Sequence, residues 1–209
     1  MCEAERVDRH SEEVTAIASR GHLRSVDSSP RTAKVHQLKV TLRQVRPPVW
    51  RRILVDSSTT LVELSGVLEA AMGWYGGHVH AFDSDGVTYG QPDPDWDVRD
   101  ERKVRIGEVV PDVGSEMRWD YDFGDGWEHD VVVEAVADRD PALRYPNCIG
   151  GRRACPPDDC GGPYGYAEIL EALGDPGHPR HEEIAEWMPP GFNPAHFDAR
   201  EINLLLKAF

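Results

Sequence analysis

From Val35 onward the chain alternates apolar and polar positions with a period of two. Leu38, Val40 and Leu42 fall on one side, the pattern of a half-buried strand. Pro47-Pro48 interrupts it, and Val49 to Val55 resumes extended character, so the two segments are predicted to pair as an antiparallel ribbon. Neither proline can donate a ladder hydrogen bond, which places both at the turn or on an edge. The period then changes: Leu61, Leu64, Val67, Leu68, Ala71 and Met72 recur at helical spacing, Thr60 and Glu63 form a capping box, and Gly73 supplies the stop. HVHAF (78–82) and VTY (87–89) flank the turn signal DSDG and predict a hairpin. After a Pro/Asp-rich loop and a short apolar piece at 104–110, Met117, Trp119 and Tyr121 alternate, with Val131, Val133 and Ala135 on a following arm, predicting a second hairpin.

The last third changes character. RYPNCIGGRRACPPDDCGGPYGY carries too many Gly, Pro and Cys for a regular element and is predicted to be loop, while YAEILEAL, HEEIAEWM and AREINLLLKAF read as helices. Two strands, a helix, hairpins and terminal helices together predict an α+β domain. Its sheet should be mainly antiparallel hairpins packed on one N-terminal helix, with a Cys-containing loop and C-terminal helices. Residues 1–33 are polar and end in SVDSSPR; they are predicted to be a flexible tail in which EEVTAIAS has some helical character, leaving 34–209 as the domain.

A chain of 209 residues, 40% hydrophobic, is long enough for one sizeable core. No apolar run approaches the roughly 20 residues of a membrane span. The N-terminus lacks the apolar centre of a secretory signal, so the expected location is the cytoplasm. The net charge of -14 disfavours unspecific attraction to nucleic acid or anionic membrane. One stretch departs from it: residues 31–55 contain Arg31, Lys34, Lys39, Arg43, Arg46, Arg51 and Arg52 and no Asp or Glu. Pairing with acidic neighbours in the sheet is the expectation; a nucleic-acid face at Arg43, Arg46, Arg51 and Arg52 is the alternative.

Cys148, Cys155 and Cys160 lie within thirteen residues, separated by six and four, in a Gly/Pro loop able to fold back on itself. Tetrahedral Zn2+ needs four ligands, and thiolates near one another on a turn supply several. A structural zinc site is the expectation, with His129 as fourth ligand and Asp158, Asp159, His178 and His181 as weaker choices. Packed free thiols are one alternative. A redox or nucleophilic cysteine, kept open by Arg152 and Arg153, is another.

YDFGDGWEHD contains the kinase word DFG without the other kinase motifs, and its structural reading is a tight hairpin turn at Asp125-Gly126. It also concentrates Asp122, Asp125 and Glu128 with His129 and Asp130 at one hairpin end, a place for a cation or a basic peptide. His78 and His80, two apart on a predicted strand, share a face near Asp83 and Asp85, the spacing for two ligands to one metal. With no further ligand evident, satisfied histidines are the simpler reading. His178 and His181 lack the HEXXH pattern and read as a solvated helix start.

The words LKVTLRQVRPPVWRRILV, YDFGDGWEHD and RRACPPDDCGGPYGY, in that order, resemble the plasmid ORF-three-like family, over roughly residues 35–205. Some of its members are insertion-element passengers with the resolvase-like name TnpR. The resemblance implies a compact α+β domain associated with mobile DNA and implies no established reaction. A serine recombinase would need a basic C-terminal helix-turn-helix, and these terminal segments are acidic or apolar. The functional expectation is a non-catalytic binding or adaptor domain with a protein partner. An enzyme with its site between the acidic hairpin and the Cys loop comes second, using His129 as ligand or base and Cys155 or Cys160 as ligand or nucleophile. A DNA-transaction accessory of a plasmid or insertion element comes third.

Overall fold

Alternation in the strand segments becomes two faces of one sheet. The computed structural model describes residues 33–209, and the expectations for residues 1–32 lie outside the described residues. The strands are β1 (Lys34–Leu42), β2 (Trp50–Asp56), β3 (His80–Ser84), β4 (Val87–Gly90), β5 (Arg99–Asp100), β6 (Glu116–Tyr121), β7 (Trp127–Asp138) and β8 (Asn147–Arg152). They lie in the order β5-β4-β3-β6-β7-β1-β2-β8, and all neighbours are antiparallel except β4 and β5. The helices are α1 (Leu61–Met72), α2 (Ile106–Val109), α3 (Gly162–Gly174), α4 (His181–Trp187) and α5 (Ala199–Leu205).

Leu38, Val40, Leu42, Ile53, Val55, Trp119, Tyr121, Trp127, Val131 and Val133 are buried on one face. Intervening positions carry charge that pairs across strands: Arg52 with Glu134, Arg43 with Glu128 and Asp130, Arg118 with Asp83 and Asp120. Antiparallel sheets tolerate this asymmetry because one face can remain solvated. A register shift places Glu134 as the extra residue of a bulge in β7, from which it accepts hydrogen bonds from both Arg52 and Gln37. Arg52 therefore holds the Glu134 carboxyl down at about 2.

Helix α1 starts at the capping box, where Thr60 Oγ1 accepts from Glu63 N–H and the Glu63 carboxylate accepts from Thr60 N–H. It ends at Gly73, left-handed with φ 89°. Its apolar side enters the core, which also takes Tyr166, Ile169 and Ala172 of α3, Ile184 of α4 and Ile202 of α5. The core is thus closed by the C-terminal helices as well as by α1.

Two local expectations are corrected. The strand predicted from His78 begins at His80 and runs to Ser84, so His78 precedes it. The first part of the Cys segment is strand β8, paired with β2. An edge strand needs one partner and close backbone approach, and there glycine is an advantage: a Cβ on Gly151 would collide with the Phe197 ring and approach Trp50 O to 2.8 Å.

Arg51 ties these parts together. Its guanidinium is buried and donates from Nε to Ala71 O (2.9 Å), from Nη1 to Trp50 O (2.9 Å) and Arg152 O (3.3 Å), and from Nη2 to Cys155 Sγ (3.2 Å). Ala71 O is one of the carbonyls left over at the C-terminus of α1, where a positive charge also suits the helix dipole. Leaving such groups unmatched costs about 1–3 kcal/mol each. Arg51→Met keeps the aliphatic stem and removes the donors, so urea unfolding should show a loss of at least about 2 kcal/mol. Unchanged stability would contradict this role.

Candidate functional site

The turn between β6 and β7 and the segment after β8 meet at one end of the sheet. Asp122 opens the turn with φ 54°, a region Asp enters more readily than most residues. Its Oδ1 accepts from Gly124 N–H (3.0 Å) and Asp125 N–H (3.3 Å), and its own N–H donates to Val79 O (2.9 Å). Asp125 Oδ2 accepts from Gly161 N–H at 3.2 Å, which fastens the turn to the Cys segment. The backbones are so close there that a Cβ on Gly162 would collide with Asp125 O. From the other side Trp74, directly after α1, donates from its indole N–H to Pro156 O (3.0 Å) and stacks on Tyr121 with centroids 4.8 Å apart.

This clamp brings His78, Asp122 and Asp159 together. Asp122 Oδ2 lies 3.4 Å from His78 Nδ1, and Asp159 Oδ1 lies 3.9 Å from His78 Nε2. One ligand atom from each of the three falls within 4.8 Å of the other two, the only such group of three or more His, Cys, Asp or Glu among the described residues. Asp159 is also left-handed, with φ 55°. The site grades from buried to open: the side chain of Asp122 is 11% exposed, that of His78 30% and that of Asp159 80%.

Further ionisable groups surround the three. Burial holds the Asp158 carboxyl above its ordinary range; the Tyr75 amide and His78 oppose the shift, while Asp159 and Asp122 add to it. Glu69, on α1, is raised by burial against the hydrogen bond it accepts from Ser65. Burial likewise pushes up the Tyr121 hydroxyl, and Asp158, Glu69, Asp122 and Asp159 all add to that shift. Among the described residues no acceptor meets this hydroxyl, although Tyr121 is fully buried. Among the described residues, no Lys or Arg forms a salt bridge with any of these four carboxylates. Tyr75, whose amide bonds Asp158, and Phe123, next to Asp122 in the chain, are 95% and 53% accessible.

Other predicted site residues are placed differently. Cys148, Cys155, Cys160 and His129 are not gathered: no three of their ligand atoms lie within 4.8 Å of one another. All three thiols are free and buried. Cys148 Sγ faces Gly150 O, and Cys155 Sγ faces Arg51 and Met72 Sδ. Cys160 lines a groove of about 340 Å³ between α3 and α4 with Ile169, Ile184 and Trp187. Burial raises all three, Cys160 to about 12, the reverse of what a reactive thiolate needs. The chain separates them because the first is on an edge strand, the second under α1 and the third at the start of α3. Of the weaker ligand choices, Asp159 joins the cluster and Asp158 adjoins it, while His181 Nδ1 contacts Ala172 O and the His178 ring accepts from Arg180 N–H.

Of the acidic trio only Asp122 belongs to the cluster, since Asp125 holds Gly161 and Glu128 pairs with Arg43. The four arginines sit in different settings. Arg43 and Arg52 are paired with acids, Arg51 is buried and Arg46 is exposed. His80, on β3, contacts the buried Glu101 at 2.8 Å and not His78's partners. Sequence reasoning missed Glu69, Glu101 and Tyr121, whose helical or alternating positions mark them only as ordinary members of α1, the turn before α2 and β6.

His129 lies in the aromatic core, with its ring 4.5 Å from that of Trp119 and Nδ1 3.1 Å from Trp119 O. Burial lowers it from 6.5 to about 3, so it stays neutral. A histidine depressed in the folded state stabilises fully above its unfolded value, and this contribution is lost as pH falls from there toward 3. From about pH 7.5 to about pH 5 the loss should be about 2 kcal/mol. Buried His36, also lowered chiefly by burial, contributes with the same sign. Denaturant unfolding across this range should be distinctly flatter for His129→Phe; identical slopes would refute the assignment.

The family model described as "Plasmid pRiA4b ORF-3-like protein" matches residues 34–201. The chain is 43% identical over 162 residues to "Uncharacterized protein y4hQ" of Sinorhizobium fredii (strain NBRC 101917 / NGR234), covering 74% of this chain and 81% of that protein. It also resembles the solved structure "Crystal Structure of Protein of Unknown Function MM3350 from Methanosarcina mazei Go1", with TM-score 0.75 and 32% identity over 81% of this chain and 97% of that one. No helix among the described residues is long and apolar enough to cross a membrane. The matched span holds every strand of the described residues and all the residues of the cluster, and the chain belongs to the plasmid pRiA4b ORF-3-like family.

Proposed function

We propose that this chain is a non-catalytic binding domain that holds a cationic ligand where the β6–β7 turn meets the Cys segment. The observation that carries this reading is the convergence of Asp122, Asp158, Asp159 and Glu69 without Lys or Arg partners among the described residues, where other buried or sheet-face charges are largely paired. Uncompensated carboxylates at a partly open site favour a cation from outside, and the exposed Tyr75 and Phe123 add faces that attract cationic groups. The ligand is a metal ion or the basic segment of a protein partner. The domain acts in the cytoplasm as an accessory of a mobile element, a context supported by the plasmid in the family's description. The enzymatic alternative keeps the same location but loses its proposed groups. His129 is neutral inside the core, and the thiols are buried and raised. Binding of nucleic acid finds little support, because Arg43 and Arg52 are already paired and Arg51 is internal.

Fluorescence anisotropy with a labelled oligolysine peptide and with a single-stranded oligonucleotide tests this reading. The peptide should bind, weaken as salt rises, and lose at least about tenfold affinity in the double variant Asp158→Lys, Asp159→Lys. Arg43→Glu with Arg52→Glu should leave peptide binding intact. Preference for the oligonucleotide, lost in the arginine variant, would overturn the proposal in favour of a DNA role. Failure of both the peptide and divalent cations to bind would also overturn it.

A further inference from the structure

We propose that His78, Asp122 and Asp159 are ligands to a divalent first-row transition-metal ion, Zn2+ or Mn2+, bound between the β6–β7 turn and the segment after β8. The inference rests on the reading that this junction holds a cation, and it names that cation's chemistry. The zinc expected at the cysteines thereby moves to a nitrogen and oxygen donor set.

Three features converge on it. One imidazole and two carboxylates offer ligand atoms within 4.8 Å of one another, so modest side-chain rotation brings them to metal-ligand distances of about 2.0–2.2 Å. Mixed imidazole and carboxylate donors suit Zn2+ or Mn2+, whereas Ca2+ takes six to eight oxygens, a larger set than two aspartates supply. The second, independent feature is Tyr121. Its buried hydroxyl has no acceptor among the described residues, its ring packs edge-on against His78 at 5.6 Å, and four carboxylates lie within electrostatic reach. A buried hydroxyl without a partner is costly, and it finds one when a ligating carboxylate, or water on the ion, turns toward it. Third, the geometry is graded: Asp122 is fixed by two turn amides and Asp159 is open, so a metal would have protein on one side and solvent on the other. An open side leaves coordination positions for a donor from a partner, as in metal sites that are not purely structural.

Isothermal titration calorimetry of the metal-free full chain with Zn2+, Mn2+ and Ca2+ tests the assignment. We expect about one transition-metal ion per chain and much weaker Ca2+ binding. His78→Ala and Asp159→Asn, both at accessible positions, should each weaken binding at least about tenfold. Tyr121→Phe should weaken it by about tenfold, the scale of an outer-shell partner, with circular dichroism and thermal melts confirming the fold. Because Asp122 also builds the turn, Asp122→Asn is read by Mn2+ electron paramagnetic resonance alongside a melt. Cys148→Ser and Cys160→Ser should leave the affinity unchanged. Equal affinity in His78→Ala and Asp159→Asn would overturn the site, as would Ca2+ binding as tightly as Zn2+ or loss of binding in the cysteine variants. If metal uptake fails while the oligolysine peptide still binds, this inference falls and the broader reading stands; if both fail, the broader reading falls too.

Discussion

The guanidinium of Arg51 is buried, and among the described residues no carboxylate forms a salt bridge with it. Its charge is accommodated by oriented carbonyls, one at the C-terminus of α1 and one each from β2 and β8, and by the Cys155 sulfur and the Phe197 ring 5.1 Å away. Each acceptor belongs to a different part of the chain, so the helix, the edge strand and the Cys segment must all be in place for the charge to be satisfied. This constraint lends the Gly/Pro-rich segment a definite course. Trp74 reinforces it one turn away by binding Pro156 O and stacking on Tyr121.

The position of the candidate site follows from that course. Once the segment after β8 is held under α1 and its continuation is fastened to Asp125, Asp158 and Asp159 are delivered to the turn that carries Asp122. The cysteines act as small apolar groups inside this arrangement. Their burial raises all three thiols, and Cys155 serves Arg51 as an acceptor. Chemistry and packing are divided between neighbouring residues of one segment, with Asp159 outward, Asp158 half-buried and sulfur inward.

Much of the architecture was legible in the chain. The capping box at Thr60 and Glu63, the alternation of Leu38, Val40 and Leu42, and the turn words DSDG and FGDG are local signals, and α1, β1 and the two hairpins form where they lie. Strand β8 was illegible because a glycine-rich edge strand has no hydrophobic period; its identity comes from pairing with β2 and from Phe197 against Gly151. His78 was misplaced on a strand because period-two spacing continues into residues that the sheet does not use.

The cluster was only partly visible for a related reason. The sequence determined the inventory: acids and imidazoles at the hairpin end, Asp158 and Asp159 in the Cys segment, and paired histidines near residue 80. It also determined the α+β character, because periodicity and turn chemistry are properties of short segments. Tertiary structure alone decided that His78 meets Asp122 and Asp159 and that His129 enters the aromatic core, leaving the cysteines apart. The cluster joins residues 37 to 81 positions distant, brought together where a buried arginine, a tryptophan and a tight backbone crossing fix the chain.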